Sequence, residues 1–210
     1  NDKQYLANTL KGAYDREIKT ICNPLQNLPD GTIFRFAHEM ELSGRYPWSQ
    51  ADPKSYVAVY QYFVDKCRAL IKTKTNFMWS PSGEAGLEHY WPGENYVDFV
   101  GISIYMNKSW DQTNIGHSRS FSEILDSKYK RVFSYNKPII IAESAVTGSS
   151  EIQEQWITEG IKSLHKYPLV TGYVYFNAKD IDGVWGANYE TPNWSLASDS
   201  FERIIEKYSR

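Results

Sequence analysis

Short apolar, strand-like runs alternate along this chain with stretches that read as helices. The runs are Thr32–Glu39, Thr75–Trp79, Val97–Tyr105, Lys137–Glu143 and Val170–Phe176. They are near-continuously apolar rather than alternating. That pattern belongs to strands covered on both faces, and parallel neighbours need a long crossover between them, usually a helix. Helices are expected at about 3–22, 53–72, 121–133, 151–165 and 198–208. Asn23-Pro24 ends the first, and Asp52-Pro53 opens the second, with Asp52 as N-cap and Pro53 in the first helical position. Pro29-Asp30-Gly31 is a turn. The 210 residues, 41% hydrophobic, suffice for one sizeable core. Residues 1–210 read as a single α/β domain without repeats.

Two of these runs close on a carboxylate, Glu39 and Glu143. A side chain at the C-terminal tip of a buried parallel strand sits on the rim where α/β folds bind ligands and place catalytic groups. Two carboxylates on different strands are the minimum equipment for cutting a glycosidic bond. The loops after the strands, 40–51, 80–96, 106–120 and 177–197, hold Trp48, Trp91, Trp110, Trp185 and Trp194, five of the seven tryptophans. Core packing accounts poorly for that clustering. A cleft for sugar rings, with apolar C–H faces and hydroxyl edges, accounts for it well.

Other functions find little support. The net charge of −2 gives no electrostatic reason to expect nucleic acid or an anionic membrane as partner. No apolar run approaches the length of a membrane span, and none reads as a signal peptide. His38, His89, His117 and His165 lack metal-ligand spacing, so no metal or other cofactor is expected. Gly101-Ile102-Ser103-Ile104-Tyr105 lacks the closing glycine of a nucleophile elbow. Cys22 and Cys67 both fall in helical stretches. A bridge between neighbouring helices is one reading, and two buried thiols are the favoured one. Asp180 and Asp182 read as solvated or turn-forming loop acids.

Arg35-Phe36-Ala37-His38-Glu39-Met40, followed by Gly44-Arg45-Tyr46-Pro47-Trp48, resembles the acid/base segment of glycoside hydrolase family 26, which includes β-mannanases and related β-glucanases and β-xylanases. Phe77-Met78-Trp79-Ser80-Pro81 is similar to the family's fifth strand. Tyr90-Trp91-Pro92-Gly93-Glu94-Asn95-Tyr96-Val97-Asp98 is similar to the approach to its sixth, and Lys137-Pro138 through Glu143-Ser144 resembles its nucleophile strand. Glu41 departs from the Asn usual in mannanases, which bears on specificity rather than mechanism. The resemblance implies a (β/α)8 TIM barrel with catalytic carboxylates on strands four and seven. On that frame the chain holds strands four to eight and lacks one to three. It is expected to be a fragment of the natural protein. A companion chain supplying the missing strands and a barrel that is open by nature are the alternatives.

The activity implied is a retaining, endo-acting hydrolysis of β-mannan, mixed-linkage β-glucan, xylan or a bacterial exopolysaccharide, in a secreted, periplasmic or cell-surface protein. The alternative is a non-catalytic carbohydrate-binding barrel. By resemblance Glu39 is the acid/base and Glu143 the nucleophile. Tyr105 matches a tyrosine that donates to the nucleophile, and His38 matches a residue that contacts the sugar beside the cleavage point. Trp48, Trp79 and Trp185 are candidate sugar platforms. Arg35 reads equally as a substrate contact or as a partner for a buried carboxylate.

Overall fold

The computed structural model describes residues 2–49 and 52–208. Five strands, β1 (Ile33–Arg35), β2 (Asn76–Trp79), β3 (Phe99–Met106), β4 (Ile139–Val146) and β5 (Val170–Tyr175), form one sheet in the order β1-β2-β3-β4-β5. β1 lies parallel to β2, with Phe34 opposite Phe77, and β2 parallel to β3, with Met78 opposite Phe99. Along β3 and β4 the main-chain bonds advance in the same direction, from Val100 N–H to Pro138 O (2.9 Å) to Thr147 N–H to Met106 O (3.0 Å). The fold is a parallel five-strand part of a (β/α) barrel, as the strand–helix alternation implies. β1 and β5 stand at the two ends of the strand order.

Among the described residues seven α-helices accompany the strands: α1 (Asp2–Leu10), α2 (Asp15–Cys22), α3 (Pro53–Leu70), α4 (Lys108–Asn114), α5 (Phe121–Val132), α6 (Ser150–Ser163) and α7 (Ser198–Tyr208). Asp52 does cap α3, its carboxylate accepting from Ser55 N–H at 3.0 Å. Two expectations need correction. The single helix over 3–22 is two, because Gly12 takes φ +78°, a left-handed value that ends α1 and that glycine adopts without steric cost. The loop after β3 is not open throughout: Asn107 caps α4, with its Oδ1 accepting from Trp110 N–H.

The described residues gather into two compact units, residues 1–102 with 131–139, and 103–130 with 140–210. In the first, Phe36 stacks on Phe63 of α3 at 3.9 Å between ring centroids, and Phe34 stacks on the same ring at 5.5 Å. Trp79 is fully buried, with ring contacts to Trp91 and Tyr135. Gly101 is required where β3 passes β2. A Cβ there would come within 2.7 Å of the Ser80 Cβ and 3.1 Å of the Met78 sulfur. In the second unit, Phe121 of α5 meets Trp156 of α6 and Tyr173 of β5. Its ring fills the space above Gly160, where an added Cβ would lie 2.5 Å from Phe121.

Cys22 and Cys67 are disulfide-bonded, with Cα atoms 5.3 Å apart, so the favoured reading of two free thiols is overturned. The bridge fastens α2 to α3. The same two helices are joined by Asp15, whose carboxylate accepts from Tyr62 and Lys66, each at 2.6 Å. Spacing alone could not reveal the bridge, because the two cysteines come together only once both helices are placed. Closing a loop with a sequence separation of 45 constrains the unfolded chain by roughly 4 kcal/mol on a chain-entropy argument. Replacing both cysteines by alanine is expected to lower unfolding stability by about 2–4 kcal/mol in urea titrations. A loss below about 0.5 kcal/mol would show that the helices hold each other without the bond.

Candidate active site

Glu39 does not end a strand. β1 stops at Arg35, and the chain then turns sharply. Ala37 has φ +47° and Glu39 φ +53°. Left-handed non-glycine residues cost on the order of 1–3 kcal/mol each and persist only where the surroundings over-determine them. Here they do. The Tyr56 hydroxyl donates to Ala37 O at 3.0 Å, the Trp48 indole donates to His38 O at 2.8 Å, and Glu39 N–H donates to Ser80 O at 2.8 Å. The bend frees Glu39 from strand alternation and buries it to 2% exposure.

Around that carboxylate stand residues the sequence reading left unassigned. Tyr46 OH lies 3.5 Å from Glu39 Oε2 and 3.0 Å from His38 Nε2. Arg45 Nε lies 3.6 Å from the same Oε2. Tyr46 and Trp48 stack at 4.9 Å with 7° between their planes. His38, Glu39 and Trp48 therefore form one cluster, and Tyr46 joins all three. Trp79 is not part of a solvent-facing platform. It is 0% exposed, so its ring packs and presents no face to a sugar. Arg35 donates through Nε to Ser80 Oγ at 2.8 Å, tying β1 to the residue that holds Glu39.

Glu41 is a second acid close to Glu39. Its Oε1 accepts from the main-chain N–H groups of Gly83 (2.9 Å) and Glu84 (3.1 Å), clamping the loop after β2. Its Oε2 is buried without a hydrogen-bond partner. Burial pushes the Glu41 carboxyl above its usual range, and the nearby Glu39 adds to the rise, against the pull of the main-chain donors.

In the second unit Glu143 is likewise not at a strand tip, because β4 runs on to Val146. Tyr105 donates its phenol proton to Glu143 Oε2 at 2.6 Å, a short charge-assisted bond of the kind that favours an ionised carboxylate. The Tyr105 ring in turn touches Phe176, Trp185 and Trp194 at centroid distances of 6.2, 6.0 and 5.2 Å. Asp180, read from sequence as a solvated loop acid, organises this wall. Its Oδ2 accepts both indole N–H groups, from Trp185 at 2.9 Å and Trp194 at 3.2 Å. Behind Trp185 stands Trp110, on whose ring Arg119 rests while paired bidentately with the buried Asp111 at 2.7 and 2.9 Å. No local motif marks Asp180 or Asp111, since each is defined by indole or guanidinium groups brought to it by folding. Among the described residues no group of three or more His, Cys, Asp or Glu side chains could hold a metal ion.

Two outcomes follow. Glu41 binds its proton more tightly folded than unfolded, so its contribution to stability falls as pH rises from the ordinary carboxylate value to its raised one. Glu41→Gln carries no such slope. Its stability relative to the parent is expected to grow with pH across that window in urea titrations, and a gap that stays flat or shrinks would contradict the shift. Asp180→Ala strips both indoles of their acceptor. Tryptophan emission should shift, because Trp185 and Trp194 both lose their hydrogen-bond partner. Unchanged emission would deny Asp180 its organising part.

The sequence model of glycosyl hydrolase family 26 matches residues 4–177. Endoglucanase H of Acetivibrio thermocellus is 30% identical over 197 residues, covering 80% of this chain and 20% of that protein. Mannan endo-1,4-beta-mannosidase A and B of Caldalkalibacillus mannanilyticus is 26% identical, covering 84% and 33%. Among solved structures, a family 26 β-mannanase from Bacteroides ovatus superposes with a TM-score of 0.65 at 17% identity, covering 98% of this chain and 62% of that one. The catalytic domain of the Bacillus sp. JAMB-750 endo-β-1,4-mannanase gives 0.62 at 21% identity, covering 89% and 50%. The chain thus spans less than half the length of these curated relatives. With most of its residues matched in sequence, the chain belongs to glycosyl hydrolase family 26.

Proposed function

We propose that the protein is an endo-acting glycoside hydrolase that cuts β-linked polysaccharide with retention of configuration, Glu39 serving as acid/base and Glu143 as nucleophile. The observation that carries the assignment is the tyrosine on Glu143: a carboxylate gripped at 2.6 Å by a phenol, inside the segment matched to a hydrolase family. Such a donor favours the charged, attacking form. Glu39 is suited to the complementary part, since a buried carboxyl is placed to exchange a proton with a leaving oxygen out of bulk water.

In the first step Glu39 protonates the glycosidic oxygen as Glu143 Oε attacks the anomeric carbon. The C–O bond breaks, the leaving chain departs as an alcohol, and a glycosyl ester on Glu143 remains. In the second step the Glu39 carboxylate takes a proton from water, whose oxygen attacks the same carbon and releases Glu143. Two inversions give net retention. His38, Trp48, Trp185 and Tyr105 are the sugar contacts in this reading. The relatives are named for glucan, mannan and β-1,3-xylan cleavage, so a β-glucan, a β-mannan, a xylan or a bacterial exopolysaccharide is the proposed substrate range. A location outside the cytosol suits both a polymeric substrate and the Cys22–Cys67 disulfide, which is at home in an oxidising compartment.

The test is hydrolysis by the full-length protein of a panel of these polysaccharides, with products followed by NMR. Glu143→Ala is expected to abolish turnover while binding persists. Glu39→Ala should lose about 10²–10⁴-fold on natural linkages and much less on substrates with good leaving groups, with azide restoring rate. Wild-type rates in both variants, or products of inverted configuration, would sink the proposal. Binding of oligosaccharides without cleavage of any polymer would replace it with a carbohydrate-binding function.

A further inference from the structure

The second unit holds a cleft of about 550 Å³ walled by α4 (Lys108, Gln112) and its cap Asn107, by the turn after β4 (Thr147) and by the segment around Glu190 and Asn193. That volume falls within the roughly 300–1,000 Å³ typical of small-ligand clefts. Its polar groups are amides and hydroxyls with one ammonium and one carboxylate, set among the aliphatic surface of Pro192, Gly148 and side-chain stems, and it contains no aromatic ring.

The walls are fixed from behind. Thr147 Oγ1 accepts from Lys108 N–H at 2.9 Å, Pro192 O accepts from Asp180 N–H at 2.9 Å, and the Thr191 hydroxyl donates to Asp182. The side-chain ends of Lys108, Gln112 and Glu190 stay clear of this network. They make no hydrogen bond or ion pair among the described residues, and all three residues are exposed. Rigid walls carrying uncommitted donors and acceptors are what a polar ligand needs in order to bind without a large ordering cost.

The cleft also follows directly on the residues proposed for chemistry. Asn107 lies two positions beyond Tyr105, and Thr147 four beyond Glu143, or about 7 and 13 Å along extended chain. From this geometry we propose that the cleft is a further sugar subsite, in which a glycan chain cut at Glu143 is held by its hydroxyl edges rather than by its ring faces. Amide side chains carry donor and acceptor together and so match neighbouring hydroxyls. The single positive and single negative side chain leave the cleft without a net charge to select an ionic ligand, and the absence of an aromatic ring removes stacking. The proposal rests on the glycoside hydrolase reading and adds to it a dependence on chain length.

The test compares trisaccharides and hexasaccharides of the polysaccharide that the full-length protein cuts, in wild type, Gln112→Ala and Ser109→Trp. Both positions are exposed, and melting temperatures would check the fold. The kcat/KM advantage of the hexasaccharide over the trisaccharide is expected to fall at least fivefold in each variant, and further in Ser109→Trp, whose indole fills the cleft. An unchanged advantage in both variants overturns the subsite while leaving the hydrolase reading intact. Should the wild type cut no polysaccharide, the hydrolase reading fails and calorimetric titration with manno-, cello- and xylohexaose decides the subsite. Binding weakened in Ser109→Trp supports it, whereas binding equal in both proteins or absent from the wild type overturns it.

Discussion

One main-chain hydrogen bond, from Glu39 N–H to Ser80 O, fixes the position on which the first unit's site is built. It pins a left-handed glutamate that would relax if left to local preference. Ser80 meets further constraints. Its hydroxyl accepts from Arg35, and its side chain lies directly over Gly101. Three neighbouring strands thus converge on one small residue. A larger side chain at 80 would collide with β3, and a side chain at 101 would push Ser80 away from Glu39.

The two carboxylates are held by different physical means. Glu39 is set by backbone strain, burial and the Tyr46–His38 pair, whereas Glu143 sits within a regular strand and owes its setting to the Tyr105 phenol. Strain is specific but costly, and the stacked Phe34, Phe36 and Phe63 rings together with the Cys22–Cys67 bond offset that cost nearby. A regular strand needs no such support, so the second unit's resources go into the aromatic wall around Tyr105 instead.

The parallel fold was legible because it depends on residue types repeated over whole segments. Each apolar run holds a strand and each long crossover a helix, although the first run is strand only over Ile33–Arg35 and the first helix is split at Gly12. The site was legible only as far as its motifs reach. Glu39, His38 and Trp48 lie within ten residues of one another and fold into one cluster. Trp79 misled because a tryptophan at a strand end looks alike whether it packs or binds, and only its full burial decides. Asp180 and Arg45 were unreadable for the opposite reason. Their partners arrive from folded geometry, and an acid accepting two indole protons has no signature in sequence. The bend at Ala37 and Glu39 was hidden too, since neither residue type advertises a positive φ.

The long segment after β5 closes on itself at its base. Trp194 N–H reaches Ala178 O, Leu196 N–H reaches Asn177, and Lys179 bridges Asn193 in antiparallel fashion. Everything between is a loop whose ends are already joined. For such a loop the entropic cost of added length grows only logarithmically, about 0.6 kcal/mol per doubling. Its tip, where Ile181 is 76% exposed, is therefore free to lengthen, shorten or change composition without disturbing the sheet beneath. Such an arrangement makes the tip an exchangeable part, able to drift in length and composition while the strands beneath keep their place.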